Sequence, residues 1–238
     1  MVPVADPKTD MDAVLFDFSG TLFRLEEDDS WFEGMTLDTP DNKEVDAHVQ
    51  AELVHRLTVP TGQTVSMTPE ALDAWVNRDL APHLHREAYL HVLRESGLAR
   101  HHAESLYSKV IDPIWWRPYP DTARVLAGLK AGGIKTAVVS NIAFDIRPAF
   151  ERIGVADDVD VFILSFEVGS TKPDPAIFMA ALEQLGVPAE RALMVGDSDE
   201  ADGGARALGC GFALVDPLPT KDRPDGLVAA LGAHGIAL

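Results

Sequence analysis

Cysteine is nearly absent: Cys210 stands alone in 238 residues, so no internal disulfide can form. That scarcity fits a reducing, cytoplasmic location. Basic residues are also in deficit. Twenty Lys and Arg face 38 Asp and Glu, a formal charge of −18, which argues against nucleic-acid and membrane-surface binding. No apolar run approaches the roughly 18 residues that a membrane-spanning helix needs. Met1–Asp10 carries one Lys, two Pro and no apolar core, so a secretory signal is not expected there. Internal repeats and low-complexity tracts are missing as well. What remains is an ordinary globular composition, 46% hydrophobic and 24% charged, with length for one large domain or two modest ones.

Short apolar runs are present. Ala13-Val14-Leu15-Phe16 ends in Asp17-Phe18-Ser19-Gly20-Thr21 and reads as a strand followed by a turn. Thr136–Val139, Val161–Leu164 and Ala192–Val195 repeat the pattern much later, and Phe212–Val215 is a fifth candidate. Continuous runs of this length suit strands buried on both faces of a parallel sheet. Helical patterns lie between them. Asp121 is placed to cap a helix bearing Val125, Leu126 and Leu129 that closes at Gly132-Gly133. Pro175 opens another, with Ile177, Phe178, Ala181, Leu182 and Leu185 on one face and Gly186 at its end. The alternation predicts an α/β domain with a doubly wound parallel sheet.

Between Leu25 and Tyr119 no convincing strand is found. Val45, Val49, Leu53, Val54 and Leu57 fall at helical spacing. Thr68-Pro69 starts a segment carrying Leu72, Trp75 and Val76, and Ala103, Leu106, Tyr107 and Val110 form a last helix. A chain that leaves a sheet after one strand and returns some 90 residues later carries an inserted domain. The division expected is a core of residues 1–24 and 120–238 and an all-helical insert of residues 25–119, joined by two short crossings.

Four polar clusters follow predicted strands: Asp17–Thr21, Ser140-Asn141, Lys172-Pro173, and Gly196-Asp197 with Asp202 five residues on. Each alone has an ordinary explanation as a turn, a cap or a solvated loop. In an open parallel sheet, however, all four ends share the edge where ligands bind.

In this order the clusters resemble the four motifs of the haloacid dehalogenase-like superfamily. Asp17 and Thr21 match its Asp-x-Asp-x-Thr motif, with Ser19 where the second Asp normally stands. Ser140 matches the second motif, Lys172 the third, and Gly196-Asp197 with Asp202 the fourth. The resemblance covers essentially the whole chain and implies a Rossmann-like core with a helical cap. It also implies a small phosphorylated substrate, Mg²⁺ as cofactor, and catalysis through an aspartyl-phosphate on Asp17. By the same resemblance the metal ligands are an Asp17 oxygen, the Ser19 main-chain carbonyl and Asp197, with Asp202 holding metal-bound water. Lys172 supplies positive charge to carboxylate and phosphoryl group. Thr21, Ser140 and Asn141 join Lys172 in substrate binding, Ser140 and Asn141 as hydrogen-bond donors to phosphoryl oxygens.

Ser19 is the main departure. The family's second Asp serves as general acid and base, and a serine hydroxyl has no suitable pKa for either task. A haloacid dehalogenase and a phosphonate hydrolase, both of which lack that Asp, are therefore alternatives, as is a non-catalytic binding member. Dehalogenases do not need Asp197 and Asp202, however. A phosphonate hydrolase needs a cap lysine, and Lys43 and Lys109 read as solvated. His83, His85, His91, His101 and His102 lack metal-ligand spacing and are expected on helix surfaces. Trp115-Trp116 is expected to pack, Glu26–Asp29 to form a solvated turn, and Cys210 to be a buried structural thiol. Monomer and dimer remain equally open.

Overall fold

A computed structural model describes residues 11–26, 28–58 and 66–238; the expectations placed on Met1–Asp10 and on Glu27 lie outside these. In chain order the elements are β1 (Ala13–Phe16), β2 (Phe23–Leu25), α1 (Ala47–Thr58), α2 (Pro69–Val76), α3 (Pro82–Glu95) and α4 (Arg100–Val110). Then come β3 (Trp116–Pro118), α5 (Thr122–Ala131), β4 (Lys135–Ser140), α6 (Arg147–Arg152), β5 (Val161–Leu164) and α7 (Ser165–Val168). The last are α8 (Pro175–Leu185), β6 (Ala192–Gly196), β7 (Gly211–Leu214) and α9 (Gly226–Ala233). Two compact units result. One takes the chain up to Arg24, then Arg117–Asn141 and Asp145–Leu238; the other is Leu25–Trp116 with Ile142–Phe144.

The first unit is built on a five-stranded parallel sheet of order β5-β4-β1-β6-β7. β1 lies between β4 and β6, with Phe16 opposite Val138 on one side and Val195 on the other. Alternation along the strands sends Ala13, Leu15, Ala137, Val139, Ile163 and Met194 to one face, where Ile177, Phe178, Ala181 and Leu185 of α8 cover them. Val14, Phe16, Val138, Leu193 and Val195 are just as deeply buried on the other face. There α5 contacts β4 and packs with α9. The three central strands are mostly apolar because both of their faces are covered, whereas Lys135 at the start of β4 and Leu214 on the edge strand β7 are exposed. The chain runs β1, β4, β5 to one side and then β6, β7 to the other. The order therefore reverses at β1, which is where such sheets bind ligands.

α8 begins and ends as its sequence predicts, with Asp174 accepting from the Ala176 N–H and Gly186 left-handed at its end. The expectation for Asp121 needs correction. It stands at the start of α5 but makes no side-chain cap there. Its Oδ2 instead accepts from the N–H groups of Leu227 and Val228 in α9, at 2.8 and 3.1 Å. Helix starts carry unsatisfied N–H groups, and a carboxylate serves whichever start the fold brings to it.

The second unit is helical, with α3 packed on α1, α2 and α4. Ala103, Leu106, Tyr107 and Val110 are the buried face of α4, as their spacing predicts. Thr68 caps α2 by accepting from the Ala71 N–H at 3.2 Å. Three expectations are corrected. The buried residues of α2 are Ala71 and Ala74, whereas Leu72 and Val76 are exposed. His85 is not on a helix surface but buried in α3. The region also ends in short strands, since β2 and β3 form a two-stranded sheet. Three residues each are too few for period-two alternation to be visible. Trp115 packs edge-on against Trp31, and the Trp116 indole donates to the Val110 carbonyl. Among the described residues no helix is long and apolar enough to cross a membrane.

Candidate active site

At the carboxyl end of β1, the Asp17 N–H still donates to the Val195 carbonyl, so the residue leaves the sheet in register. The chain then turns sharply. Gly20 adopts φ +78°, and the N–H groups of Leu22 and Phe23 both donate to the Phe18 carbonyl. Phe18, Phe23 and Phe150 anchor the turn, with ring centroids 4.8–5.9 Å apart. Asp17 is thus fixed from both sides by main chain and apolar packing.

Lys172 reaches it from the loop before α8. Its Nζ donates to Asp17 Oδ1 at 2.6 Å, to Asp202 Oδ1 at 2.6 Å and to the Val139 carbonyl at 2.9 Å, which uses all three ammonium protons. Asp202 is fully engaged, because its other oxygen accepts from the Ser198 N–H at 3.0 Å. Gly196 makes room for it: any Cβ there would overlap the Asp202 carboxylate. Asp197 is half-buried and forms no ion pair among the described residues, yet oxygens of Asp17, Asp197 and Asp202 all lie within 4.8 Å of one another.

Such a cluster strains ordinary ionisation. Burial pushes the Asp17 carboxyl up, Lys172 works against the rise, and the charges of Asp202 and Asp197 add to it. Asp197 is raised likewise, by burial and then by Asp202. For Lys172 burial acts downward, but the two carboxylates overcome it and the ammonium is held charged. With all three carboxylates ionised, one ammonium leaves two negative charges to be matched, and burial together with that unmatched charge pushes Asp17 and Asp197 up. A divalent, oxygen-seeking cation is the chemical complement of that donor set, so the residues present fit a Mg²⁺ ion.

The other predicted site residues divide. Ser140 ends β4 at the carboxyl edge of the sheet and is buried. Ser19 is exposed. Thr21 is fully buried, and its hydroxyl makes a long 3.4 Å contact with Asp17 Oδ2, facing the carboxylate. The Asn141 amide clasps the Lys172 main chain, donating to its carbonyl at 2.9 Å and accepting from its N–H at 2.7 Å. Asn141 therefore holds the Lys172 main chain, a contact beyond the phosphoryl binding that the resemblance implied for it.

Sequence reasoning missed Arg223. This buried residue donates to the main-chain carbonyls of Gly20 and Thr21, directly beside Asp17. An arginine in a Pro- and Asp-rich stretch reads as a loop, and no local signal marks it.

The sequence profile of the haloacid dehalogenase-like hydrolase family matches residues 11–209. Among curated proteins, a phosphoserine phosphatase of Thermus thermophilus is 35% identical over 62% of this chain and 58% of its own length. A ribulose-1,5-bisphosphate 5-phosphatase of Halopiger xanaduensis is 38% identical over 43% of this chain and 44% of that protein. The chain spans about half the length of such relatives. Among solved structures, a HAD phosphatase from Thermococcus onnurineus is 25% identical, with TM-score 0.52 over 87% of this chain and 86% of that one. L-2-haloacid dehalogenase from Xanthobacter autotrophicus is also 25% identical, with TM-score 0.63 over 92% of this chain and 83% of that one. A parallel sheet carrying an acidic cluster at its switch point, together with a profile match over most of the sequence, leads to one conclusion: this chain belongs to the haloacid dehalogenase-like hydrolase family.

Proposed function

We propose that the chain is a Mg²⁺-dependent phosphatase or phosphotransferase that acts through an aspartyl-phosphate on a small, soluble phosphorylated metabolite in the cytoplasm. The observation that carries this reading is the convergence of Asp17, Asp197 and Asp202 around Lys172, which leaves two negative charges. Asp17, Asp197 and the Ser19 carbonyl would hold the cation, with Asp202, both of whose oxygens are engaged, behind them. When bound, the ion supplies fixed positive charge that lets an anionic phosphoryl group approach a carboxylate.

An Asp17 oxygen attacks phosphorus, the bond to the leaving oxygen breaks, and water later cleaves the aspartyl-phosphate. Lys172 orients Asp17 and offsets charge, Asn141 holds Lys172 in place, and the Ser140 hydroxyl is available to a phosphoryl oxygen. With Ser19 in place of an acid, the leaving oxygen draws its proton from water. Acyl and aryl phosphates, whose leaving groups depart without protonation, are then the preferred substrates. The division into a core, 1–24 and 120–238, and a helical cap, 25–119, belongs to the same reading.

A dehalogenase is the second reading, favoured by the higher TM-score to the Xanthobacter enzyme. A phosphonate hydrolase has less support: Lys43 pairs with Asp46, and the Lys109 ammonium lies over the Trp115 ring. One experiment separates them. Purified protein is assayed on aryl phosphates, acyl phosphates and haloacids, with Mg²⁺ and with chelator, beside Asp17→Asn. Phosphate release that needs Mg²⁺ and Asp17 supports the proposal. Halide release indifferent to chelator overturns it in favour of the dehalogenase.

A further inference from the structure

The family profile stops at residue 209, but the chain does not leave the site there. After β7 the Val215 N–H donates to the Gly196 carbonyl at 2.9 Å, beside Asp197. The following main chain is then tied down by side chains from around the nucleophile turn. Arg24 donates to the Pro217 carbonyl at 2.5 Å, and the Tyr119 hydroxyl to that of Leu218 at 2.8 Å. Asp121, two residues after Tyr119, caps α9 just downstream.

Arg223 closes this strap. Its Nη1 donates to the Gly20 carbonyl at 2.7 Å and to that of Asp216 at 3.0 Å, while Nη2 donates to the Thr21 carbonyl. The guanidinium lies on the Tyr119 ring, 3.1 Å from its centroid. Only 5% of the residue is exposed, no carboxylate forms an ion pair with it among the described residues, and Nε has no hydrogen-bond partner. Gly226 clears space for it, since a Cβ there would stand 2.7 Å from Arg223 Cγ and Cδ.

Burying a cation whose direct contacts are carbonyl dipoles and a ring face, with the charges of Asp121 and Asp197 acting only from a distance, is costly. What it fixes is the turn that carries Asp17. Gly20 sits between the strap and the acidic cluster: a Cβ there would lie 2.8 Å from Asp197 Cγ and 3.1 Å from Pro217 Cβ. Two successive carbonyls held by one planar fork cannot rotate independently. We propose that Arg223 is a positioning residue of the catalytic site, holding the Asp17–Thr21 turn against Asp197 from a segment outside the family match. The kinetic part of this proposal rests on the phosphatase reading; the structural part does not.

The test compares Arg223→Ala and Arg223→Lys with the parent protein in two measurements. In hydrogen exchange, the amides of Gly20, Leu22 and Phe23, which close the turn, should exchange at least about tenfold faster in Arg223→Ala, with β4 and β6 unchanged. In assays with p-nitrophenyl phosphate and Mg²⁺, kcat should fall about 10- to 100-fold, the effect of a misplaced reacting group, with KM within about threefold. Added guanidinium should restore part of kcat, and ammonium at equal ionic strength should not. Arg223→Lys, able to hold one carbonyl but not both, should fall between. Unchanged exchange at the turn in a folded variant overturns the proposal, and so does a uniform rise across the whole sheet. If Arg223→Ala fails to fold, Arg223→Lys decides by the same two criteria. Should the parent protein release no phosphate at all, the phosphatase reading fails and hydrogen exchange still decides the role of Arg223.

Discussion

Lys172 and His85 are buried in different compact units, and the two units treat a buried base in opposite ways. In the sheet unit Lys172 is kept charged because two carboxylates and a carbonyl take its three protons. In the helical unit His85 meets rings. It stacks on Tyr89 at 4.4 Å and lies near Tyr107 and Phe144, and its ring Nδ1 is 3.1 Å from the Tyr107 hydroxyl. Burial, reinforced by the Arg78 charge, brings its pKa down to about 3, so it is neutral at pH 7. Burial also pushes Tyr107 up to about 12. The acidic cluster keeps charge and arranges its neutralisation; a packing core expels charge. The presence of opposite charge within hydrogen-bond reach decides which outcome a buried base has.

The largest effect is expected where a charge is left unmatched. Lys172→Met would bury Asp17 and Asp202 without their cation and should cost about 3–5 kcal/mol, read from urea unfolding, while phosphate release disappears. Adding Asp17→Asn should recover part of that stability. A single variant as stable as the parent would break the comparison.

His85 should show itself through pH. Its folded pKa lies below the ordinary value of about 6.5, so the unfolded chain binds the extra proton first as the pH falls. The stabilisation is complete above pH 6.5 and is lost as the pH falls from there toward 3, by up to about 1.4 kcal/mol per pH unit. The difference in urea midpoint between His85→Phe and the parent should therefore shift in favour of the variant between pH 7 and pH 5. A difference independent of pH would show that the imidazole is not held neutral.

Ser19→Asp adds a carboxylate to the charged unit at an exposed position. Turnover of phosphomonoesters with poor leaving groups should rise about tenfold or more, within what acid–base catalysis supplies, as measured by steady-state phosphate release. Unchanged turnover would mean that the acid comes from another residue.

The smallest effect belongs to a local contact in the helical unit. Thr68→Ala removes the cap of α2 and should cost about 1 kcal/mol by thermal unfolding, with kcat unchanged.

Much of the sheet unit is legible before folding. The strand runs are almost wholly apolar, so burial on both faces writes itself into composition, and α8 carries Asp-Pro at its start and Gly at its end. The helical unit is less legible. Leu72 and Val76 hold the apolar spacing of α2 while Ala71 and Ala74 are the residues buried, because one stripe of a short helix differs little from its neighbour. His85 gives no sign of burial, since an imidazole is compatible with either environment.

The candidate site divides in the same way. That Asp17, Ser140, Lys172, Asp197 and Asp202 end up together follows from strand order and parallel direction, which the spacing of apolar runs and polar ends already contains. Who pairs with whom does not. That Lys172 bridges Asp17 and Asp202, that Asn141 clasps Lys172, that Asp121 caps α9 rather than α5, and that Arg223 grips the turn after Asp17 are contacts across 30 to 203 residues. Local patterns record the needs of each segment, a buried face or a helix start to be capped. Long-range hydrogen bonds are chosen by which groups the packed core carries into reach, and only the tertiary structure decides that.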